Sequence, residues 1–291
     1  MRIALAYIFI ILLWATTPLA IKWSAEGSSF IFGVTARMSI GLTCLLLILL
    51  MARQPLPWHS KARKTYFAIA IQIYGAMMAV YWGAQFIPSG WVSVIFGLSP
   101  FITAILTSLL LGERSLTWDK LIAYTFGVSG LGLIFSTAIQ MSYQSVLGIL
   151  SVLLAVFLQA FSAVWVKRIK AKLPALTQVT GGLTLATPLY LVTWWFIDGK
   201  IITTIPTNSL LSILYLGLIA TPIGFALYYY ILTHLAATRV ALITLISPVL
   251  ALFLGYYFNH EILTGKIIVG TALILSALLM HSFSSSTKRH K

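Results

Sequence analysis

Apolar residues along this chain come in long runs separated by short polar gaps. Ten such runs of about 20 residues are read, spanning about 3–22, 30–52, 65–86, 90–111, 119–138, 145–166, 175–197, 209–233, 236–258 and 265–284. A helix needs about 20 mostly apolar residues to cross about 30 Å of hydrocarbon. The runs are too long for strands and lack a period of two, which argues against a barrel. The predicted fold class is therefore an all-α integral membrane protein with ten transmembrane helices. The gaps carry turn-forming and charged residues, as at Arg53-Gln54-Pro55-Leu56-Pro57 and Asp198-Gly199-Lys200. The first run is long for a signal-peptide core and no convincing small-x-small site follows it, so it is expected to stay as an uncleaved first span.

Composition agrees with that pattern. Of the 291 residues, 60% are hydrophobic and 8% are charged, against about 25% charged in a soluble domain. The excess of 19 Lys plus Arg over 5 Asp plus Glu gives a net charge of +14. Such basicity would suit nucleic acid if it were clustered, but it lies in the gaps between apolar runs, and no nucleic-acid partner is expected. With the N-terminus placed inside, fifteen of the nineteen basic residues fall on the inner side. Lys22, Lys200 and Lys266 fall outside, and Arg37 alone lies within a span. This bias predicts a multi-pass protein of the cell inner (plasma) membrane with both termini cytoplasmic. Trp23, Trp58, Tyr66, Trp91, Trp118, Tyr143, Trp194 and Trp195 sit near predicted interfaces, as in an aromatic belt. Cys44 is the only cysteine, so no internal disulfide or Cys-rich metal site is available.

The chain repeats itself. Tyr81–Glu113 aligns without gaps to Tyr229–Glu261, pairing Tyr81 with Tyr229, Val92 with Val240, Ser99-Pro100 with Ser247-Pro248 and Glu113 with Glu261. After a one-residue shift, Leu116-Thr117 matches Leu263-Thr264. The starts match loosely, with Ala15, Thr17 and Lys22 facing Ala160, Ser162 and Lys167. The predicted units are residues 1–139 (spans 1–5) and 145–284 (spans 6–10), followed by a basic cytoplasmic tail, 285–291. Five spans per unit force the second to enter the membrane from the opposite side. Two inverted five-helix repeats can rock around one midplane site and open it to either side, which points to a secondary transporter.

The residues that carry this pattern also resemble a known family. Leu13-Trp14-Ala15 in the first span, Lys22 at its end, Arg37 early in the second, Leu98-Ser99-Pro100 with Leu111-Gly112-Glu113, and Ile246-Ser247-Pro248 with Glu261-x-Leu263-Thr264 resemble the drug/metabolite transporter superfamily, in its EamA-type branch of ten-helix proteins with two five-helix repeats. The resemblance covers essentially the whole chain. It departs at Asn259-His260, where the family often has Leu-Gly. It implies transport of a small metabolite, an amino acid or related compound, by export in most members, although some carry nucleotide sugars or import solutes.

Candidate site residues follow from polar and aromatic groups at span depth. Tyr74, Met78, Tyr81 and Gln85 recur at i, i+4, i+7 and i+11 and share one face of an α-helix. Trp14 and Thr17 in the first span, Gln159, Ser162 and Trp165 in the sixth, and Phe225 and Tyr228 in the eighth complete the expected substrate-binding set. Polar side chains at these positions serve equally as contacts between helices. Ser99-Pro100 and Ser247-Pro248 are hinge candidates, since an interior proline removes a backbone donor and crowds the preceding turn. Arg37 is expected to be a structural charge. None of the five acidic residues lies deep in a span, which disfavours a buried carboxylate proton relay. Rival classes are an integral-membrane enzyme and a ligand sensor without flux. The enzyme lacks clustered nucleophile, base or metal-ligand motifs, and no P-loop appears. The expected partners are a small-molecule substrate and the lipid bilayer, with no cofactor, no metal, and a monomer as the expected state.

Overall fold

A computed structural model describes residues 2–112, 118–199, 204–224, 227 and 237–287, with side chains described for 5–112, 122–199, 204–224, 227 and 246–280. Among the described residues every regular element is helical. The helices are α1 (Arg2–Trp23), α2 (Phe30–Met51), α3 (Ser60–Gly83), α4 (Ser89–Leu111), α5 (Trp118–Met141), α6 (Tyr143–Ile169), α7 (Ala175–Ile197), α8 (Thr207–Gly224), α9 (Ala237–Asn259) and α10 (Gly265–Thr287). Among the described residues, α1 to α6 and α8 are long and apolar enough to cross a bilayer. The α7 helix has the length, but Thr177, Thr180, Thr184, Thr187 and Thr193 lower its hydropathy. Several of these hydroxyls turn inward onto their own helix: Thr180 Oγ1 donates to the Leu176 carbonyl and Thr184 Oγ1 to that of Thr180, each at 2.8 Å.

Local sequence fixes the helix ends. Ser29 Oγ accepts from Ile31 N–H at the start of α2, and Ser142 Oγ from Ser145 N–H at the start of α6. Pro88, Pro174 and Pro206 precede α4, α7 and α8 with extended ψ near 140°. Gly112 closes α4 with φ of +66°. Two helices depart from α geometry in mid-course: α3 winds through a π-helical turn at Ile71–Ala76, and α8 through another at Tyr215–Ala220. The fourth span, expected to be continuous, is broken at Gly97–Leu98, and Pro100 sits in the first turn of its second half. There its missing N–H falls on a helix N-terminus, where it costs nothing. Pro248, by contrast, lies inside α9, which runs on past it.

Side chains that face outward are apolar: Leu5, Leu47, Leu109, Val128, Phe196, Phe253 and Ile268 are all exposed. Such a surface needs hydrocarbon around it rather than water. Inside, Val34, Leu45, Ile73, Val80, Ile95, Val152, Val156 and Leu183 form one continuous core. Lipid gives helices no hydrophobic reason to associate, so close packing holds the bundle together. In the α5–α10 contact two backbones approach each other directly. A Cβ on Gly130 would stand 2.5 Å from the Gly270 carbonyl oxygen, and one on Gly270 would stand 2.8 Å from that of Gly130. The other main contacts pair α1 with α9 and α8, α4 with α6 and α9, α7 with α2 and α3, α2 with α8, and α3 with α6.

The connections 24–29, 84–88 and 260–264 gather at one end of the bundle. There Ser209 Oγ donates to the Ser24 carbonyl at 3.0 Å, and Ser145 Oγ to that of Phe86 at 3.0 Å. Trp23 Nε1 donates to Asn259 Oδ1 at 3.2 Å, and Lys266 Nζ to Gln140 Oε1 at 3.3 Å.

Candidate functional site

A cavity of about 640 Å³ opens between residues of both halves of the chain, within the size range of small-molecule sites. Trp14, Thr17, Pro18 and Ile21 of α1 form one wall. Val92, Ser93, Phe96 and Gly97, with Ser99, Pro100 and Thr103 beyond the break, form a second. Gln72, Met77 and Val80 come from α3, Arg37 from α2, Gln159 from α6, Ala220 and Gly224 from α8, and Ser247 and Pro248 from α9. The lining is mostly apolar with a few separated polar groups, the usual pattern where an apolar body is bound and a polar end is oriented. A smaller pocket of about 360 Å³ lies against the other side of α1, among residues such as Leu19, Leu211 and Leu254. Among the described residues no charged group lines it, so the larger cavity is the candidate site.

Eight of the residues singled out in the sequence lie on this wall: Trp14, Thr17, Arg37, Ser99, Pro100, Gln159, Ser247 and Pro248. Thr17 Oγ1 donates to the Leu13 carbonyl at 2.6 Å, so its methyl group and Pro18 give the wall an apolar character. The α4 break has a local cause. Gly97 N–H reaches the carbonyls of Ser93 and Val94, and Leu98 N–H that of Ile95, before the chain restarts on Ser99-Pro100. The carbonyl of Phe96, which a regular α-helix would pair with residue 100, meets a proline with no N–H to give.

The remaining candidates sit elsewhere. Tyr74 hydrogen-bonds Thr193 (2.6 Å) and lies edge-on to Tyr190 at 5.0 Å, in the α3–α7 contact. Met78 is packed against the core. Gln85 Nε2 donates to the Trp82 carbonyl near the end of α3. Ser162 is buried behind the wall, and Trp165 packs between Phe67 and Phe161. Tyr81 is buried and accepts a long 3.5 Å hydrogen bond from Arg37 Nη1. Phe225 and Tyr228 lie outside the described residues. The stripe Tyr74–Met78–Tyr81 misses the cavity because the π-helical turn inserts extra chain into α3. Across that turn Gln72, Met77 and Val80 come to share the inward face, a spacing of five and then three that a pure α-helix does not bring together. Sequence gives no signal for such a turn. Ser93, Phe96 and Thr103 are further wall residues that sequence reasoning missed; once α4 was broken at Gly97, its two halves could each present a face.

Among the described residues, Arg37 is the one charged residue on the wall. It is 7% exposed, Nε donates to Thr221 Oγ1 at 3.3 Å, and Nη1 reaches the Tyr81 hydroxyl. Thr221 Oγ1 in turn donates to the Leu216 carbonyl at 2.9 Å, at the end of the α8 π-helical turn. Gln72 and Gln159 make no hydrogen bond among the described residues, leaving two amides free on the wall. No group of three or more metal-ligating side chains is present among the described residues.

The model of the EamA-like transporter family matches residues 1–136 and 146–283. The chain is 26% identical over 290 residues to the "Uncharacterized transporter YoaV" of Bacillus subtilis, covering 99% of each. It is 25% identical over 284 residues to a "Probable terminal-alkyne amino-acid exporter" of Streptantibioticus cattleyicolor, covering 94% of this chain and 91% of that one. A "Probable amino-acid metabolite efflux pump" of Escherichia coli is 24% identical over 204 residues, covering 67% of this chain and 68% of that protein. A protein of known crystal structure shares the fold, with a TM-score of 0.67 over 98% of this chain and 99% of that one at 18% identity. These relatives are named as transporters and not as enzymes. A helical bundle with several membrane-length apolar helices around a cavity, matched along nearly its whole length, belongs to the EamA-like transporter family.

Proposed function

We propose that this chain is a secondary transporter that exports a small amphipathic metabolite, an amino acid or related compound, across the cell inner membrane by alternating access. It does so with ten transmembrane helices in two inverted five-helix units, residues 1–139 and 145–284, with cytoplasmic termini and a basic tail at 285–291.

The observation that carries this reading is the composition of the cavity wall. Ser99 and Pro100 from the first unit meet Ser247 and Pro248, their repeat partners, across one cavity. Trp14 and Gln159, which correspond when Ala15 is set against Ala160, also both line it. The helix contacts support the same symmetry. Advancing each helix number by five, modulo ten, turns α1–α9 into α6–α4, α3–α7 into α8–α2, and α3–α6 into α8–α1, while α2–α7, α4–α9 and α5–α10 map onto themselves. A site on the axis relating two inverted units is equally reachable from either side when the units rock.

Substrate chemistry follows from the wall: aromatic and aliphatic surface for an apolar body, and Arg37, Gln72 and Gln159 for a polar end. The names of the exporting relatives support an amino-acid-related solute and outward movement. Among the described residues no carboxylate lines the cavity, which supports facilitated export or exchange over carboxylate-linked proton coupling. The test is counterflow in proteoliposomes of the purified chain, loaded with a panel of apolar amino acids. Saturable, protein-dependent exchange of at least one is expected. Saturable binding without exchange would make the chain a sensor.

A further inference from the structure

Arg37 presents an electrostatic problem that the fold does not solve. It lies seven residues into α2, about 10 Å along the helix from Phe30, and its burial rules out reaching the interface by snorkelling. A cation at this depth is costly unless it is paired. Yet both of its hydrogen-bond partners, Thr221 and Tyr81, are neutral hydroxyls, and the one ion pair found among the described residues joins Lys22 to Glu261. Nη2 makes no hydrogen bond among the described residues, and the side chain borders the cavity. Thr221 and Tyr81 engage Nε and Nη1, so the guanidinium is oriented while Nη2 stays open. A buried guanidinium with an open donor on a mostly apolar cavity wall matches a carboxylate in charge and shape. Nothing described on the wall offers a matching anion for an ammonium group.

We propose that Arg37 is the carboxylate-binding residue of the cavity, and that the solute is recognised as an organic monocarboxylate with an apolar or aromatic body, its amino group contributing nothing to affinity. This rests on the transport reading only for the statement that the bound solute is also the cargo. Carboxylate binding would supply the charge partner that Arg37 lacks, so recognition and neutralisation of a buried cation are one event.

Three probes of common shape separate the charges: phenylalanine (zwitterion), 3-phenylpropionate (anion) and phenylalaninamide (cation). Equilibrium binding to the detergent-purified wild-type chain is expected to be as tight for 3-phenylpropionate as for phenylalanine. Binding should be about 10- to 100-fold weaker for phenylalaninamide, the factor that a charge-assisted hydrogen bond supplies. Arg37→Gln should lose the same factor for both carboxylates and none for the amide, with Arg37→Lys intermediate because a point charge replaces the fork. The wild-type comparison needs no variant, so a misfolded Arg37→Gln leaves the proposal testable. Equal affinity for acid and amide, no carboxylate binding at all, or a folded Arg37→Gln with undiminished carboxylate affinity would each overturn it. Carboxylate binding without flux in proteoliposomes would overturn the transport reading and leave Arg37 as a carboxylate site. Flux indifferent to the carboxylate would do the reverse.

Discussion

The Glu261 carboxylate caps the helix that begins at Ser89: Ser89 N–H donates to Oε1 at 2.8 Å and Ser89 Oγ to Oε2 at 3.1 Å. Gly90 N–H adds a 3.4 Å contact, and Asn259 Nδ2 donates to Oε1 at 2.8 Å. Lys22 Nζ stands 3.6 Å from Oε1 and also donates to the Ile87 carbonyl at 3.1 Å. The end of α1, the start of α4 and the α9–α10 connection are thus tied at one carboxylate. Asn259, where the family often has leucine, adds Trp23 to the knot.

Removing that carboxylate strands two helix-terminal donors and takes the charge partner from Lys22, which keeps only the Ile87 carbonyl. Glu261→Ala is expected to destabilise the protein by about 1–2 kcal/mol through the lost cap. Lys22→Met should cost less, about 0–1 kcal/mol, because the pair is partly exposed and lysine keeps a second partner. Thermal unfolding in detergent gives the order. If this knot closes one mouth of the cavity, Glu261→Ala should also speed labelling of Ile21→Cys by an impermeant maleimide applied outside, in a Cys44→Ser background. Unaltered labelling would reduce the knot to a helix cap.

The α5–α10 contact makes a sharper stability prediction. Gly130→Val drives a side chain into the Gly270 backbone, which has no rotamer to yield. Loss of several degrees in melting temperature, or of folded yield, is expected. Gly132 lies two residues away on the same helix, and a Cβ there meets nothing within 4 Å. Gly132→Ala should be neutral or stabilising through helix propensity, by about 0–1 kcal/mol. Equal damage from both substitutions would mean that the close approach at Gly130 is not what sets the cost there.

Tyr190 supports the π-helical turn of α3 from across the α3–α7 contact. Its hydroxyl donates to the Ile73 carbonyl at 2.5 Å and approaches that of Tyr74 at 3.2 Å. A π-helical turn disrupts the regular carbonyl ladder, and Tyr190 provides a donor to it. Tyr190→Phe keeps the ring but removes that donor in a buried site, so a loss of about 1–3 kcal/mol is expected. A melting temperature equal to that of the wild type would show that the turn is held by its own backbone.

How much of this was legible beforehand differs by level. Helix type and rough limits follow from the long apolar runs, because the bilayer permits only internally satisfied backbone. The fourth span was read as continuous because Gly97 and Leu98 are apolar and hide a break that hydropathy does not register. Trp14, Gln159 and the two Ser-Pro pairs stood out as unusual groups at span depth, and they lie on the cavity wall. Met77 and Val80 did not stand out, because an apolar residue on a cavity wall reads like one in a core. Ser93 and Thr103 look like the many hydroxyls that bond back to their own helix. The α3 stripe was assigned with a period of 3.6, and the turn at Ile71–Ala76 rotated it away from the cavity.

That rotation can be checked with adjacent residues. Both Met77 and Met78 pack against the core, but only Met77 of the two also lines the cavity, whereas an unbroken α-helical face would have put Met78 with Tyr74 and Tyr81 toward the solute. In a Cys44→Ser background, Met77→Cys should react with a small methanethiosulfonate reagent, and a solute that binds the cavity should slow the reaction several-fold. Met78→Cys should react more slowly and be indifferent to solute. Met77→Trp should fill part of the same cavity of about 640 Å³ and lower flux, because the half-buried Met77 side chain borders that space. Solute protection at Met78→Cys but not at Met77→Cys would restore the regular helix and remove Gln72, Met77 and Val80 from the wall together, since one turn sets the facing of all three.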